Sequence, residues 1–205
     1  MNSYKTIKDN SEATHIVERS KFISHARRVE SREQAEEFIA EIKKKYWDAR
    51  HNVYAYALKN GETRCSDDGE PSGTSGMPTL DVILKQGFSD VCIVTTRYFG
   101  GILLGTGGLV RAYSKAAALA LEESGSAEIT ECAVCSLTSS YSLLEPLKRF
   151  FSENECVIES IDYAENVHFK YYFRAENLDL IELKITDKFN GELKQTLIKK
   201  EFKEL

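Results

Sequence analysis

Residues 66–78 read SDDGEPSGTSGMP, and residues 97–111 read RYFGGILLGTGGLVR. These two runs hold eight of the chain's 12 glycines and two of its three prolines, together with Asp67, Asp68, Glu70, Arg97 and Arg111. Glycine carries a high conformational entropy, so a sequence concentrates it where backbone must turn sharply or approach a neighbour closely. The working surface is expected here. Between the runs, residues 79–86 predict a short helix ended by Gly87. Residues 91–96 (VCIVTT) are a continuous β-branched run, which predicts a central strand buried on both faces. The second run leads into an Ala- and Leu-rich helix, predicted from about residue 108 to residue 124 and stopped by Gly125.

Upstream, residues 14–17 and 22–29 predict two strands of a hairpin or meander. Ser31 and Gln34 form a capping box, and Ala35, Phe38, Ile39, Ile42 and Tyr46 then recur at helical spacing. Lys43, Lys44 and Lys45 sit where cations suit the end of a helix dipole, which predicts a solvated helix end. Residues 52–58 read as a strand that turns at Asn60-Gly61. Past Gly125 the order is strand (132–138), helix (144–153), strand (157–163), strand (167–174), helix (178–189) and strand (193–202). Pro146 fits a helix's first turn, with Ser142 and Glu145 as expected caps. This β-α-β-β-α-β order is that of a ferredoxin-like domain, and a boundary at 125/126 gives domains 1–125 and 126–205.

The 205 residues, 42% hydrophobic and 29% charged, are those of a soluble globular protein. No apolar run approaches the ~18 residues of a membrane span, so no membrane partner is expected. The opening MNSYKTIKDNSE has no apolar signal core, and five cysteines without a dense framework predict reduced thiols in the cytoplasm. The net charge of -5 argues against indiscriminate nucleic-acid binding. Its distribution matters more: residues 1–125 carry 17 basic and 17 acidic groups, residues 126–205 carry 10 and 15. Contact with phosphate is therefore expected in the first half.

Gly105, Thr106, Gly107 and Gly108 form a glycine-rich turn opening a helix, where backbone N–H groups and the helix dipole suit an anion. A purely structural turn is the alternative, and the spacing is neither that of a P-loop nor that of a dinucleotide-binding fold. Arg111 follows where a cation opposes the dipole, and Lys115 at i+4 repels it. Something negative must offset this, either a ligand phosphate or one of Asp67, Asp68 and Glu70. Those acids can hold Mg²⁺ or shape a turn. With no phosphate-gripping lysine nearby, their pairing with Arg97 or Arg111 is the stronger expectation, and no resident cofactor or metal is expected. His51 is a candidate polar contact, as ligand, acid or base, or a structural hydrogen-bonder. Cys132 and Cys135 fall on opposite faces of a strand, which makes their spacing coincidental. Tyr98 and Phe99 can stack on bases or join the core.

The stretches IVERSKFI (16–23), His51 with NVYAY, SDDGEPSGTSGMP and RYFGGILLGTGGLVRAY (97–113) resemble the IMPACT family, bacterial YigZ-like branch. The resemblance is strong over about residues 15–125; the remainder matches in length and element order. It implies an α+β protein. Its N-terminal α/β domain would have the left-handed βαβ crossover of ribosomal-protein and elongation-factor domains, against the usual hand. Its C-terminal ferredoxin-like βαββαβ domain would resemble domain V of elongation factor G. Eukaryotic members restrain a starvation-response kinase by competing for its ribosome-associated activator. Bacteria lack that kinase, so what carries over is a looser role in translation or RNA contact, without catalytic residues. Arg97, Gly100, Gly101, Gly105, Gly107, Gly108 and Arg111 match its signature, as do Asp67, Asp68, Gly69, Glu70 and Pro71.

The first expectation is thus a non-enzymatic binding protein that regulates translation, meeting RNA, the ribosome or a translation-associated protein through its Gly/Arg surface. A phosphoryl-transfer or hydrolytic enzyme holding a small anion in the Gly-rich loop is the second. An adaptor whose acidic C-terminal half docks a protein partner is the third.

Overall fold

Successive apolar side chains along Val91–Tyr98 need cover on both faces, and the fold supplies it. The computed structural model describes residues 3–205. Two units separate by their internal contacts, Tyr4–Ala127 and Glu128–Leu205. The first carries β1 (Ser3–Ile7, from Tyr4 onward), β2 (Ser11–Val17), β3 (Ser20–Arg28), α1 (Arg32–Lys45), β4 (His51–Ala57), β5 (Thr63–Ser66), α2 (Gly76–Lys85), β6 (Val91–Tyr98) and α3 (Gly105–Ser124). Five strands form an antiparallel sheet in the order β2-β3-β6-β4-β5. Since β3 and β4 both run antiparallel to β6, they are parallel to each other, and α1 carries the crossover between them.

The two-residue period of the strands assigns each face. Cys92 and Val94 of β6 and Tyr56 of β4 pack with Phe38, Ile39 and Ile42 of α1. Val91 and Ile93 of β6 and Ala55 of β4 pack with Ile83 of α2 and Ala117 and Leu121 of α3. With helices on both sides, an antiparallel strand reads as the unbroken apolar run usually seen in parallel sheets. At the end nearest the glycine runs, Phe22 and Val53 meet Leu109, Ala112 and Tyr113 of α3.

The second unit contains β7 (Ser126–Ser139, from Glu128 onward), α4 (Leu144–Glu153), β8 (Val157–Tyr163), β9 (Val167–Arg174), α5 (Leu178–Lys188) and β10 (Gln195–Glu204). Strand order β10-β7-β9-β8, all antiparallel, is the ferredoxin-like arrangement. Phe150 and Phe151 of α4 and Ile181 and Ile185 of α5 pack on Phe169, Tyr171 and Phe173 of β9. The chain is thus a mixed α/β, two-part α+β protein. None of the helices among the described residues is long and apolar enough to cross a membrane.

Several expectations are corrected. Both glycine-bearing helices begin earlier than their periodicity suggests, α3 at Gly105 and α2 at Gly76. Glycine has poor helix propensity; Gly76 is buried at the start of α2, whereas the first residues of α3, Gly105, Thr106 and Gly107, are exposed. The expected cap of α4 is not made: the Ser142 hydroxyl pairs with Ser140 Oγ at 2.8 Å, and Glu145 pairs with Lys148 at 2.9 Å. A 3-10 turn, Tyr141–Leu143, leads into the helix instead. The α1 capping box closes one residue early. Gln34 N–H donates to Ser31 Oγ at 3.3 Å, while the Gln34 side chain accepts from the Glu30 N–H at 2.8 Å. The lysine run is not simply solvated, since Lys43 pairs with Asp68 at 2.6 Å and Lys45 with Glu12 at 3.3 Å.

Candidate functional site

The acid loop gives each of its carboxylates a separate task. Asp67 ties down the entry to α2: its Oδ1 accepts from Ser75 N–H (3.0 Å), Ser75 Oγ (2.7 Å) and Gly76 N–H (2.8 Å), and its Oδ2 from Gly73 N–H (2.8 Å). Burial alone would raise this carboxyl's pKa, but the four donors together hold it below the usual range. Gly76 is required because any Cβ there would lie 2.8 Å from the Ser66 backbone. Asp68 holds Lys43 at 2.6 Å and the Asn52 N–H at 2.7 Å. Glu70 turns inward. Among the described residues, no set of three His, Cys, Asp or Glu side chains gathers where a metal ion could be held, and Asp67, Asp68 and Glu70 point to different partners.

Removing Asp67 unties α2. Asp67→Ala is expected to destabilise the chain by about 2 kcal/mol, in the range for hydrogen bonds to a charged acceptor, read by urea unfolding at neutral pH. The carboxyl is depressed in the folded state, so its contribution is complete above the unfolded pKa and is lost as pH falls through the folded one. The variant's loss therefore shrinks toward acid pH; a pH-independent difference would contradict this role.

Glu70 and Arg97 form a buried ion pair, with Arg97 Nη1 2.7 and 3.1 Å from the two carboxylate oxygens and side chains only 4% and 8% exposed. Tyr113 of α3 donates to the same carboxylate at 2.8 Å. Burial, then the Glu70 charge, pushes the Tyr113 phenol up. The Arg97 guanidinium lies over the rings of Phe22 and Phe99, 5.5 and 5.6 Å from their centroids, and its Nε has no hydrogen-bond partner. The pair fixes the acid loop against β6 and α3. It also removes Arg97 from the free cations.

Above this pair opens a first cleft of about 400 Å³. Arg50, His51, Pro71, Phe99, Leu103 and Leu104 form most of its wall, with Gly105 and Thr106 at the start of α3. His51 Nδ1 lies 2.8 Å from the Asp68 backbone carbonyl. A carbonyl oxygen only accepts, so Nδ1 is the donor in this hydrogen bond. A second cleft, about 600 Å³, contains Gly108, Arg111 and Lys115 of α3 together with His15 and Glu18. Burial and then the Lys115 charge push the His15 imidazole down. Leu103 and Leu104 belong to both clefts and divide them.

The expected site is therefore split. Arg97, Glu70, His51, Gly105 and Thr106 come together at the first cleft; Gly108 and Arg111 face the second. Arg111 is not offset by Asp67, Asp68 or Glu70, which are engaged with Ser75, Lys43 and Arg97. Among the described residues, no carboxylate lies within ion-pairing distance of Arg50, Arg111 or Lys115. Gly100 belongs to the scaffold: its N–H donates to Ser20 Oγ at 3.1 Å, and it packs on the β2–β3 hairpin tip. Gly101 and Gly107 have open space around the position of a Cβ, apart from Arg111 Nη1 3.6 Å from that of Gly107.

Sequence reasoning missed Arg50, whose only signal is its place beside His51 at the start of β4. It also missed Tyr113, which with Ser124 is one of two polar side chains on an otherwise apolar buried stripe of α3. Phe99 is 54% exposed and not in the core, while Tyr98 donates to Asp48 at 2.8 Å. The remaining histidines have partners: His25 with Tyr46 at 3.1 Å and His168 with Thr138 at 2.9 Å. Cys132 and Cys135 are both buried as free thiols, and burial pushes Cys135 up to about 11.

Comparison with known proteins places these features in a lineage. Residues 18–121 match the family model of the Impact N-terminal domain, and residues 137–192 match a model described as a domain of unknown function, DUF1949. The IMPACT family member YvyE of Bacillus subtilis is 38% identical over 193 residues, covering 93% of this chain and 89% of that protein. YigZ of Escherichia coli, also an IMPACT family member, is 30% identical over 181 residues, covering 86% and 89%. A Dictyostelium discoideum IMPACT homolog is 39% identical over 93 residues, 42% of this chain and 26% of that protein. The crystal structure of a hypothetical protein superposes with a TM-score of 0.64 at 28% identity, over 97% of this chain and 98% of the other.

Proposed function

The chain belongs to the IMPACT family, and from that premise we propose that it is a binding protein that meets RNA, on the ribosome or near it, and regulates translation. The observation that carries this reading is the trio Arg50, Arg111 and Lys115, exposed at the two clefts with no carboxylate partner. What sets them apart from other unpaired surface cations is their place: they line the two clefts on either side of the glycine-rich start of α3. The acidic balance of the second half is consistent with contact through the first. We take the working domains as 1–125 and 126–205. The five unbridged thiols fit the reducing cytoplasm.

Co-sedimentation with purified ribosomes, and binding to mixed RNA, across a salt series tests it. Binding is expected to fall steeply with salt and to be weaker for Arg111→Ala at each salt concentration. Equal binding by wild type and Arg111→Ala, or no binding at low salt, would contradict it.

One observation favours a second reading, an enzyme acting on a small phosphorylated ligand: the His51 imidazole, oriented by its Nδ1 bond to the Asp68 carbonyl, lines a cleft of small-molecule size. Thermal unfolding with nucleotides and Mg²⁺ separates the two, because a ligand at ~100 times its Kd adds about 2.7 kcal/mol.

A further inference from the structure

The two clefts differ in chemistry yet share a wall. In the first, Pro71, Phe99, Leu103, Leu104 and Leu109 provide apolar surface, with Arg50, His51 and Thr106 supplying polar groups. Phe99 and Leu103 are 54% and 87% exposed, a large apolar display for a surface loop. The second cleft has Arg111 and Lys115 one helical turn apart, with His15 and Glu18 on the facing wall; Glu18 makes no ion pair with either cation. Apolar and aromatic surface next to hydrogen-bonding groups suits the flat face and polar edge of a nucleobase. Adjacent unpaired cations suit a phosphodiester.

We propose that the pair of clefts takes one nucleotide of a single-stranded RNA, with its base between Phe99 and Leu103 in the first cleft and its phosphate on Arg111 and Lys115 in the second. This rests on the RNA-binding reading and specifies its partner. In an A-form duplex the bases are stacked and paired, and none can enter a cleft without being extruded. A single strand offers its bases freely, and stacking on an aromatic side chain tolerates any base. Leu103 is the wedge that separates base from backbone.

The test is fluorescence anisotropy of the full chain with a labelled single-stranded RNA of about ten nucleotides, the same RNA annealed to its complement, and free AMP and UMP as competitors. The single strand is expected to bind at least tenfold tighter than the duplex, and Phe99→Ala and Leu103→Ser to weaken it about tenfold without lowering the unfolding temperature. Competition by AMP or UMP at concentrations near the strand's own Kd would overturn the strand in favour of a free nucleotide. Equal affinity for duplex and single strand would overturn the base-in-cleft inference and leave the RNA-binding reading intact. Absence of binding to either naked RNA, with binding to ribosomes retained, would overturn both and point to a ribosomal protein.

Discussion

Glu70→Ala is expected to destabilise the N-terminal unit by about 3–5 kcal/mol, the loss typical when one partner of a buried ion pair is removed. Arg97 would be left 92% buried without a counter-charge, and Tyr113 would lose its acceptor. The pair itself is not a large source of stability, because both ions were desolvated to form it. Replacing both, as Glu70→Leu with Arg97→Met, should therefore recover most of what the single change loses. Trp47, the chain's only tryptophan, is 82% exposed and would sense unfolding poorly, so the loss is read by circular dichroism during urea unfolding. A single-variant loss below about 1 kcal/mol would mean that the pair is solvated and does not hold the floor of the first cleft.

The second large effect is steric. A Cβ on Gly100 would lie 2.0 Å from the Arg19 carbonyl carbon, 2.2 Å from its oxygen and 2.3 Å from the Ser20 nitrogen. These are backbone atoms of the β2–β3 hairpin tip, where Glu18 and Arg19 already hold positive φ angles of 45° and 63°. No side chain can swing aside, so the tip or the 99–104 loop must shift. Gly100→Ala should cost about 3 kcal/mol, at or above the upper end for overpacking. It should also weaken RNA binding, because the hairpin tip and the loop both wall the second cleft. Gly107→Ala is the control: it sits in α3 with open space on most sides, and alanine's better helix propensity should raise stability by about 1 kcal/mol. If the two alanines behaved alike, close backbone packing at Gly100 would not be what the glycine serves.

Where hydrophobic period and turn chemistry agree, the sequence is informative. The β-branched run 91–96, the helix 144–153 and the strands 157–163 and 167–174 could all be read in place. Thr63–Ser66 could not, because its four residues are short, polar and held only by pairing with β4. Ser3–Ile7, with five residues, is nearly as short. Position 105 reads as loop because glycine disfavours helix locally; the helix nonetheless begins there, with Gly105, Thr106 and Gly107 exposed and burial starting only at Leu109. In the site, the residue types were legible but their pairings were not. Glu70 with Arg97 spans 27 positions and Glu70 with Tyr113 spans 43. Only the fold determines that Arg97 is neutralised while Arg111 is left free. Arg50 gave no pattern at all: it matters because β4 starts where α3 begins to line the same cleft.

The claim on which the rest depends is that phosphate is held by Arg111 and Lys115. The most direct measurement is the slope of log K against log salt for single-stranded RNA, with wild type beside the Arg111→Ala/Lys115→Ala double variant. Each phosphate contact on a single strand contributes about 0.7 to that slope. Because Arg111 and Lys115 share one phosphate, a slope shallower by about 0.7 in the double variant, with thermal stability unchanged, is the expected result. The same slope for both proteins would contradict the account and move the phosphate contact away from α3.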